Sequence, residues 1–434
     1  MSRIGVMSME AISFQDGKLF EEIKDCLRQA FDESRPYMGY KDACELAGIK
    51  RMLEVIHKRT GVKLVMCTRY PNEGPAVIPR AINPNHIFYD EETRVHPEIM
   101  DHFKQVSKLA KNELVYCTVN LKEAKVTGFL AEVEHELLLP TEFMKNGRFY
   151  GVQLTVAECA AIVLHELGHP FTFFEMMLRT SKGNQVLSYL VQKQTQAPEE
   201  YKVAVLAVGD MLRLNEKQKE MLEKAKDEKD LSVLVLAFNN DKARTELGFD
   251  LYDATSCEQM ADQFATRMGA GMELITALDK VGGLEQWKNR HRLTFLLELS
   301  LYIFSGFLVL ASLEAAFIFG FLTLGYVLAF FFANVGDIYD DAEFRPKRVM
   351  HEMIDRLKDR EITKEERESL LHCIDYLKRL SEDKKGYNTV ADYVKLLRPS
   401  YRRNRDSELL QKQLEALSAN HLFVQAAKLQ SLSS

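Results

Sequence analysis

From the N-terminus to about residue 60, apolar side chains recur three and four positions apart, as at Phe20, Ile23, Leu27 and Phe31, the period of helices that bury one face. Val62 to Cys67 is a short β-type run, and the Pro- and Asn-rich stretch from Tyr70 to Pro84 reads as loop or edge structure. A helix is predicted near Pro97 to Ala110. Two strands follow, Leu114 to Asn120 and Val126 to Leu139, joined through Lys122–Lys125. In the second, Val133, His135, Leu137 and Leu139 alternate with Glu132, Glu134 and Glu136, giving one apolar and one acidic face, with His135 a core histidine. A strand in this position can present an edge to which an extended peptide adds by main-chain hydrogen bonds.

Next comes the apolar run Val156 to Leu164, which reads as a buried helix opened by the capping box Thr155 to Glu158. Pro170 is expected to end or bend that helix, because proline removes a backbone donor and crowds the preceding turn. Residues 171 to 250 keep a helical pattern, with the charge-dense Asn215 to Asp230 read as a solvated helix. From Leu293 to Val335 the chain is apolar except for Glu298 and Glu314, a length that fits two spans of about 20 residues near 294–312 and 315–335. Glu298 reads as interfacial, and Gly306, Gly320 and Gly325 permit close helix contact. In the remainder, Thr363 to Glu366 is a capping box opening a helix through Leu380, and Arg398 to Arg405 is a basic connector.

Composition narrows the class. A chain of 434 residues, 46% hydrophobic and 28% charged, buries a large core in more than one domain. A net charge of -6 with the signs interspersed argues against nucleic acid as a partner. The 7 cysteines are scattered and never spaced C-x-x-C, which is reduced, intracellular usage, and no secretory signal is evident at the N-terminus. Lys288, Arg290 and Arg292 precede the apolar hairpin and Arg345, Lys347 and Arg348 follow it. Basic flanks at both ends of an even number of spans predict that the regions on either side are cytoplasmic.

The candidate chemistry is His165-Glu166-Leu167-Gly168-His169, at the end of the apolar run. Residues four apart share a helical face, so both imidazoles can meet one Zn²⁺ while Glu166 lies beside them, able to take a proton from a metal-activated water. The plain alternative is a pair of satisfied core histidines. Catalytic zinc normally takes three protein ligands, and the third is expected from Glu258. Asp262, four residues on, shares its face and is placed to accept the second N–H of a ligating histidine.

These two segments resemble the membrane-bound gluzincin zinc metallopeptidases of the CAAX prenyl-protease and heat-shock membrane protease type. The likeness rests on HExxH, on Glu258-Gln259-Met260-Ala261-Asp262, on Gly269 and on Ala277-Leu278-Asp279-Lys280, and spans about residues 150–285. It implies His165, His169 and Glu258 as zinc ligands, Glu166 as general base and Asp262 behind the ligands. It departs from that family at Pro170 and in lacking apolar spans before residue 150.

The expectation is an α+β, mainly α protein. An N-terminal helical region covers 1–112, and a zincin-like catalytic domain with a small antiparallel sheet covers 113–290. A transmembrane helical hairpin at 293–335 and a helical C-terminal domain at 340–434 complete it. The expected activity is zinc-dependent hydrolysis of a peptide or protein substrate beside a lipid bilayer. The rival is a membrane-anchored scaffold that keeps the fold without proteolysis; retention of Glu166 favours the enzyme.

Overall fold

The structure, a computed structural model, describes residues 12–69, 74–80, 82, 86–247, 254–282, 344–358 and 362–383. The expected hairpin at 293–335 and the connector at 398–405 lie outside these residues. Among the described residues no helix is long and apolar enough to cross a membrane. The chain divides into two compact units, Met7–Ala277 and Leu278–Ser434 together with Met1–Val6. The protein is mainly helical with small sheets.

In the first unit, α1 (Lys18–Glu33) buries Leu19, Phe20, Ile23, Cys26, Leu27 and Ala30, the stripe expected from the spacing. After α2 (Tyr40–Cys44) comes α3 (Ala47–Thr60), which crosses α1 at Gly48, where a Cβ would stand 2.3 Å from the Cys26 carbonyl oxygen. The strands β1 (Lys63–Met66), β2 (Ala76–Ile78) and β3 (Ile87–Tyr89) follow, then α4 (Glu91–Arg94) and α5 (Pro97–Ala110). Next are β4 (Leu114–Asn120), β5 (Lys125–Gly128), α6 (Phe129–Glu132), β6 (Glu134–Leu138) and α7 (Thr141–Asn146). The hairpin of β7 (Arg148–Phe149) and β8 (Val152–Gln153) leads into α8 (Val156–Gln196).

The sheets correct two expectations. The stretch 126–139 is not one strand. At Gly128 the backbone takes φ 72°, and a Cβ there would stand 2.3 Å from the Tyr116 carbonyl oxygen, so the chain turns into α6. Before the turn, β5 pairs antiparallel with β4 from Cys117↔Gly128 to Asn120↔Lys125, and β3 adds to β4 in parallel. After it, β6 joins a separate sheet ordered β1-β6-β2, parallel to β1 (Leu64↔His135) and antiparallel to β2 (Ile78↔Glu136). The sheets are therefore mixed rather than antiparallel. The strand expected to offer an edge is the central one, and the edge strands are β1 and β2, the latter framed by Pro75 and Pro79.

The third correction is Pro170. The helix neither ends nor breaks there; α8 is continuous for 41 residues, and Pro170 and Phe171 are buried inside it. Tertiary burial on both sides of the proline outweighs the lost hydrogen bond, a local cost of ~3 kcal/mol. The capping box is as expected: Thr155 Oγ1 accepts from Glu158 N at 3.2 Å, and Glu158 Oε2 accepts from Thr155 N at 2.8 Å.

Beyond it, α9 (Tyr201–Met211), α10 (Glu216–Glu223) and α11 (Glu228–Leu247) gather a core of Val186, Leu190, Val205, Val208, Leu231 and Val235 against the second half of α8. The charged run 215–230 is thus two helices rather than one, with Asn215 capping α10 through Gln218 N. The helix α12 (Ala254–Ala265) passes through a kinked turn, Thr266–Ala270, into α13 (Gly271–Gly282). Gly269 has φ 92°, a conformation side chains resist. In the second unit, α14 (Phe344–Leu357) packs on α15 (Lys364–Asp383), which opens on Thr363 Oγ1 accepting from Glu366 N at 3.1 Å, as the sequence predicts.

Candidate metal centre

Two helices build the site. His165, Glu166 and His169 occupy adjacent turns of α8, where the imidazole centroids lie 5.0 Å apart at 85°. Against this face runs α12, and the two backbones approach closely at Gly168: a Cβ there would lie 2.6 Å from Ala261 Cα and 3.0 Å from Phe264 Cβ. Ala261 stands between Glu258 and Asp262 on α12, so this crossing delivers both carboxylates to the histidines.

One carboxylate faces both rings. Glu258 Oε2 is 3.5 Å from His165 Nε2, and Glu258 Oε1 is 3.7 Å from His169 Nε2. Ligand atoms of His165, His169 and Glu258 all lie within 4.8 Å of one another. Ligands ~2.0–2.1 Å from a tetrahedral zinc are separated from each other by roughly 3.3 Å, so these three need only small shifts to share an ion. Two imidazole nitrogens with one carboxylate oxygen is also a donor set that suits zinc. The residues present fit the metal.

Asp262, 2% exposed, sets the tautomer. Its Oδ1 lies 3.0 Å from His165 Nδ1, which directs Nε2 toward Glu258. Burial works to depress the His165 pKa, but hydrogen bonding by Asp262 and Glu258 and the charges of Asp262 and Glu166 outweigh it and raise it to about 9. The buried carboxylates around His165 thus favour positive charge at this position. Glu166 Oε2 lies 3.9 Å from His169 Nε2, so the expected base faces the same space without belonging to the ligand group. Every residue expected at the site is brought together there, and among the described residues this is the only group with metal-binding convergence.

His135 stands apart, as the sequence predicts. It is 0% exposed, accepts the Arg80 backbone N–H at 3.2 Å and meets the Phe174 ring edge-on at 4.9 Å between centroids. Burial pushes its pKa down from 6.5 to about 4. The unfolded chain therefore binds a proton that the folded chain refuses. The contribution of neutral His135 is full above pH 6.5 and lost as pH falls toward 4, on the order of 3 kcal/mol. Urea unfolding at pH 7 and pH 4.5 should show a smaller acid loss in His135→Asn than in wild type; equal losses would acquit this residue.

Sequence reasoning missed what lies further along α8. Glu175, Arg179 and Lys182 form a mostly buried charged stripe: Arg179 Nε pairs with Glu175 at 2.6 Å, and its NH2 group pairs with Glu246 of α11 at 2.7 Å. Lys182 bridges Asp90 and Glu92 at α4, the latter at 3.1 Å, and Lys242 of α11 approaches Glu92 at 3.7 Å. Burial alone would raise the Asp90 carboxyl, but the Lys182 ammonium holds it below the usual range. Acids and bases here neutralise one another, so the network ties α11 and α4 to the helix that carries His165 and His169. Charges at i, i+4 and i+7 in a helix with apolar flanks were the readable signal. No protein-family model, curated protein or solved structure matches the chain.

Proposed function

We infer that the chain is a zinc-dependent endopeptidase, zincin-like in its catalytic domain and held at a membrane by the apolar hairpin at 293–335. The observation that carries the reading is the convergence of His165, His169 and Glu258 within 4.8 Å, with Glu166 beside them and Asp262 behind His165. The resemblance to membrane-bound gluzincins points the same way. Membrane anchoring on the cytoplasmic side is supported by the apolar run and its basic flanks.

His165, His169 and Glu258 would hold the ion, and zinc there supplies a Lewis acid that acidifies a water and polarises a carbonyl. Asp262 keeps the His165 ring oriented and its Nδ1 protonated. Glu166 accepts the proton of the attacking water as the new C–O bond forms, and the peptide C–N bond breaks when Glu166 passes that proton to the departing amine nitrogen. Helix α8 presents His165, His169 and Glu166 from a buried element, which keeps the proton acceptor near the reacting carbon.

Metal analysis tests the reading. Wild type should carry about one zinc per chain and cleave unfolded polypeptide, and His165→Ala should lose both the metal and the cleavage. Wild type that binds no zinc refutes the assignment. Zinc bound without cleavage hands it to the scaffold alternative. Anchoring predicts that the protein stays with membranes through an alkaline wash.

A further inference from the structure

The turn between β7 and β8 is built against conformational preference. Its central residues are Tyr150 and Gly151, with φ 46° and 79°. Two-residue hairpins of this kind favour Asn-Gly, because the first position also needs positive φ. Here it holds a tyrosine that is 73% exposed, with its ring 4.2 Å from that of Phe149. A large aromatic side chain kept in a strained conformation with most of its surface in solvent contributes little to folding, which directs attention to function.

The pair abuts the start of β2. A methyl group on Gly74 would lie 3.5 Å from Phe149 Cζ and 3.7 Å from the Tyr150 hydroxyl. At the other end of the strand, Arg80 N–H donates to His135, whose ring packs on Phe174 of α8, beyond His169. The base of the hairpin touches the opening turns of α8, where a Cβ on Gly147 would lie 3.1 Å from Cys159 Sγ. Extended chain from Gly74 to Arg80 covers roughly 20 Å, and α8 from Cys159 to Phe174 covers roughly 22 Å. The two ends of the strand thus reach, through the hairpin and through His135, the stretch of α8 from Cys159 to Phe174 that contains His165 and His169. Among the described residues β2 pairs only with β6, leaving its outer edge to a further strand.

We propose that Tyr150, backed by Phe149, is a specificity-determining residue: it receives an apolar side chain of an extended peptide paired with β2, roughly three or four residues from the scissile bond. This rests on the peptidase reading and names the substrate class of that site, an unfolded polypeptide carrying an aromatic or large aliphatic residue at a fixed spacing from the cut.

The test walks one Phe through a polar peptide series, with Ser peptides as reference, and measures the Phe-to-Ser ratio of kcat/KM in wild type and Tyr150→Asn. Asn accepts the left-handed conformation, so the hairpin is kept; an unchanged Tm and zinc content verify this. At one position the wild-type ratio should exceed about tenfold, carried mainly by KM, and should fall to about one in Tyr150→Asn. A ratio that survives the substitution, or no responsive position, overturns the proposal. The same peptides, titrated by fluorescence anisotropy onto zinc-loaded Glu166→Gln with and without Tyr150→Asn, separate the two readings. Selective binding that is lost with Tyr150, from a protein whose wild type cleaves none of the series, keeps the aromatic subsite and discards the peptidase.

Discussion

Glu166→Gln is expected to lower kcat for peptide cleavage about 10³-fold while leaving the zinc content at that of wild type, the loss typical of a missing general base. The amide has the same shape as the carboxylate but cannot take a proton. Glu166 lies outside the ligand group yet keeps its Oε2 3.9 Å from His169 Nε2, so the substitution removes proton transfer without removing a metal ligand. KM should change little, because Glu166 acts on the water rather than on the peptide. Steady-state kinetics with parallel metal analysis decide the matter. Unaltered kcat would strip Glu166 of its role, and lost zinc would make it a ligand.

The second large effect is expected at a residue with no chemistry of its own. Gly168→Ala places a methyl 2.6 Å from Ala261 Cα, a backbone atom that cannot swing aside. The helices must part, and Glu258, one turn before Ala261, moves away from the histidines with its helix. Zinc affinity should fall by at least the ~10–100-fold that follows from disturbing the support of a metal site. Stability should fall by roughly 1–3 kcal/mol from overpacking. Chelator competition and thermal unfolding read the two effects separately. A variant that is less stable but binds zinc as tightly as wild type would show that the crossing does not position Glu258.

The contrast between these residues explains what was legible in the sequence. His165, Glu166 and His169 fall on one helical face by their spacing alone, and Thr155 with Glu158 marks where that helix starts, so both were readable from local geometry. Glu258 and Asp262 were readable because a short metal site needs a third ligand and a helical repeat of four supplies one with a supporting carboxylate. Gly168 occupies an unspecified position of HExxH and Ala261 has no metal chemistry of its own, so their smallness acquires structural meaning only where the two helices cross. Pro170 misled for the converse reason: its local penalty is real, but the apolar surface buried around Phe171 and Phe174 on the same helix exceeds it. The split of residues 126–139 between two sheets turns on the single positive φ at Gly128, which alternation of apolar and acidic residues cannot register. The turn at Tyr150 carried no helical or strand signal because its residue runs against the preference of the turn it makes.

The break at Gly269, where φ is 92°, separates the helix that carries Glu258 and Asp262 from the one that buries Leu274, Ile275 and Ala277. Side chains with a Cβ resist that conformation, so a single glycine specifies the joint. It works as a swivel: the facing of the carboxylate-bearing helix and the facing of the helix that follows are set independently, so either segment can change its inward residues without dragging the other out of register.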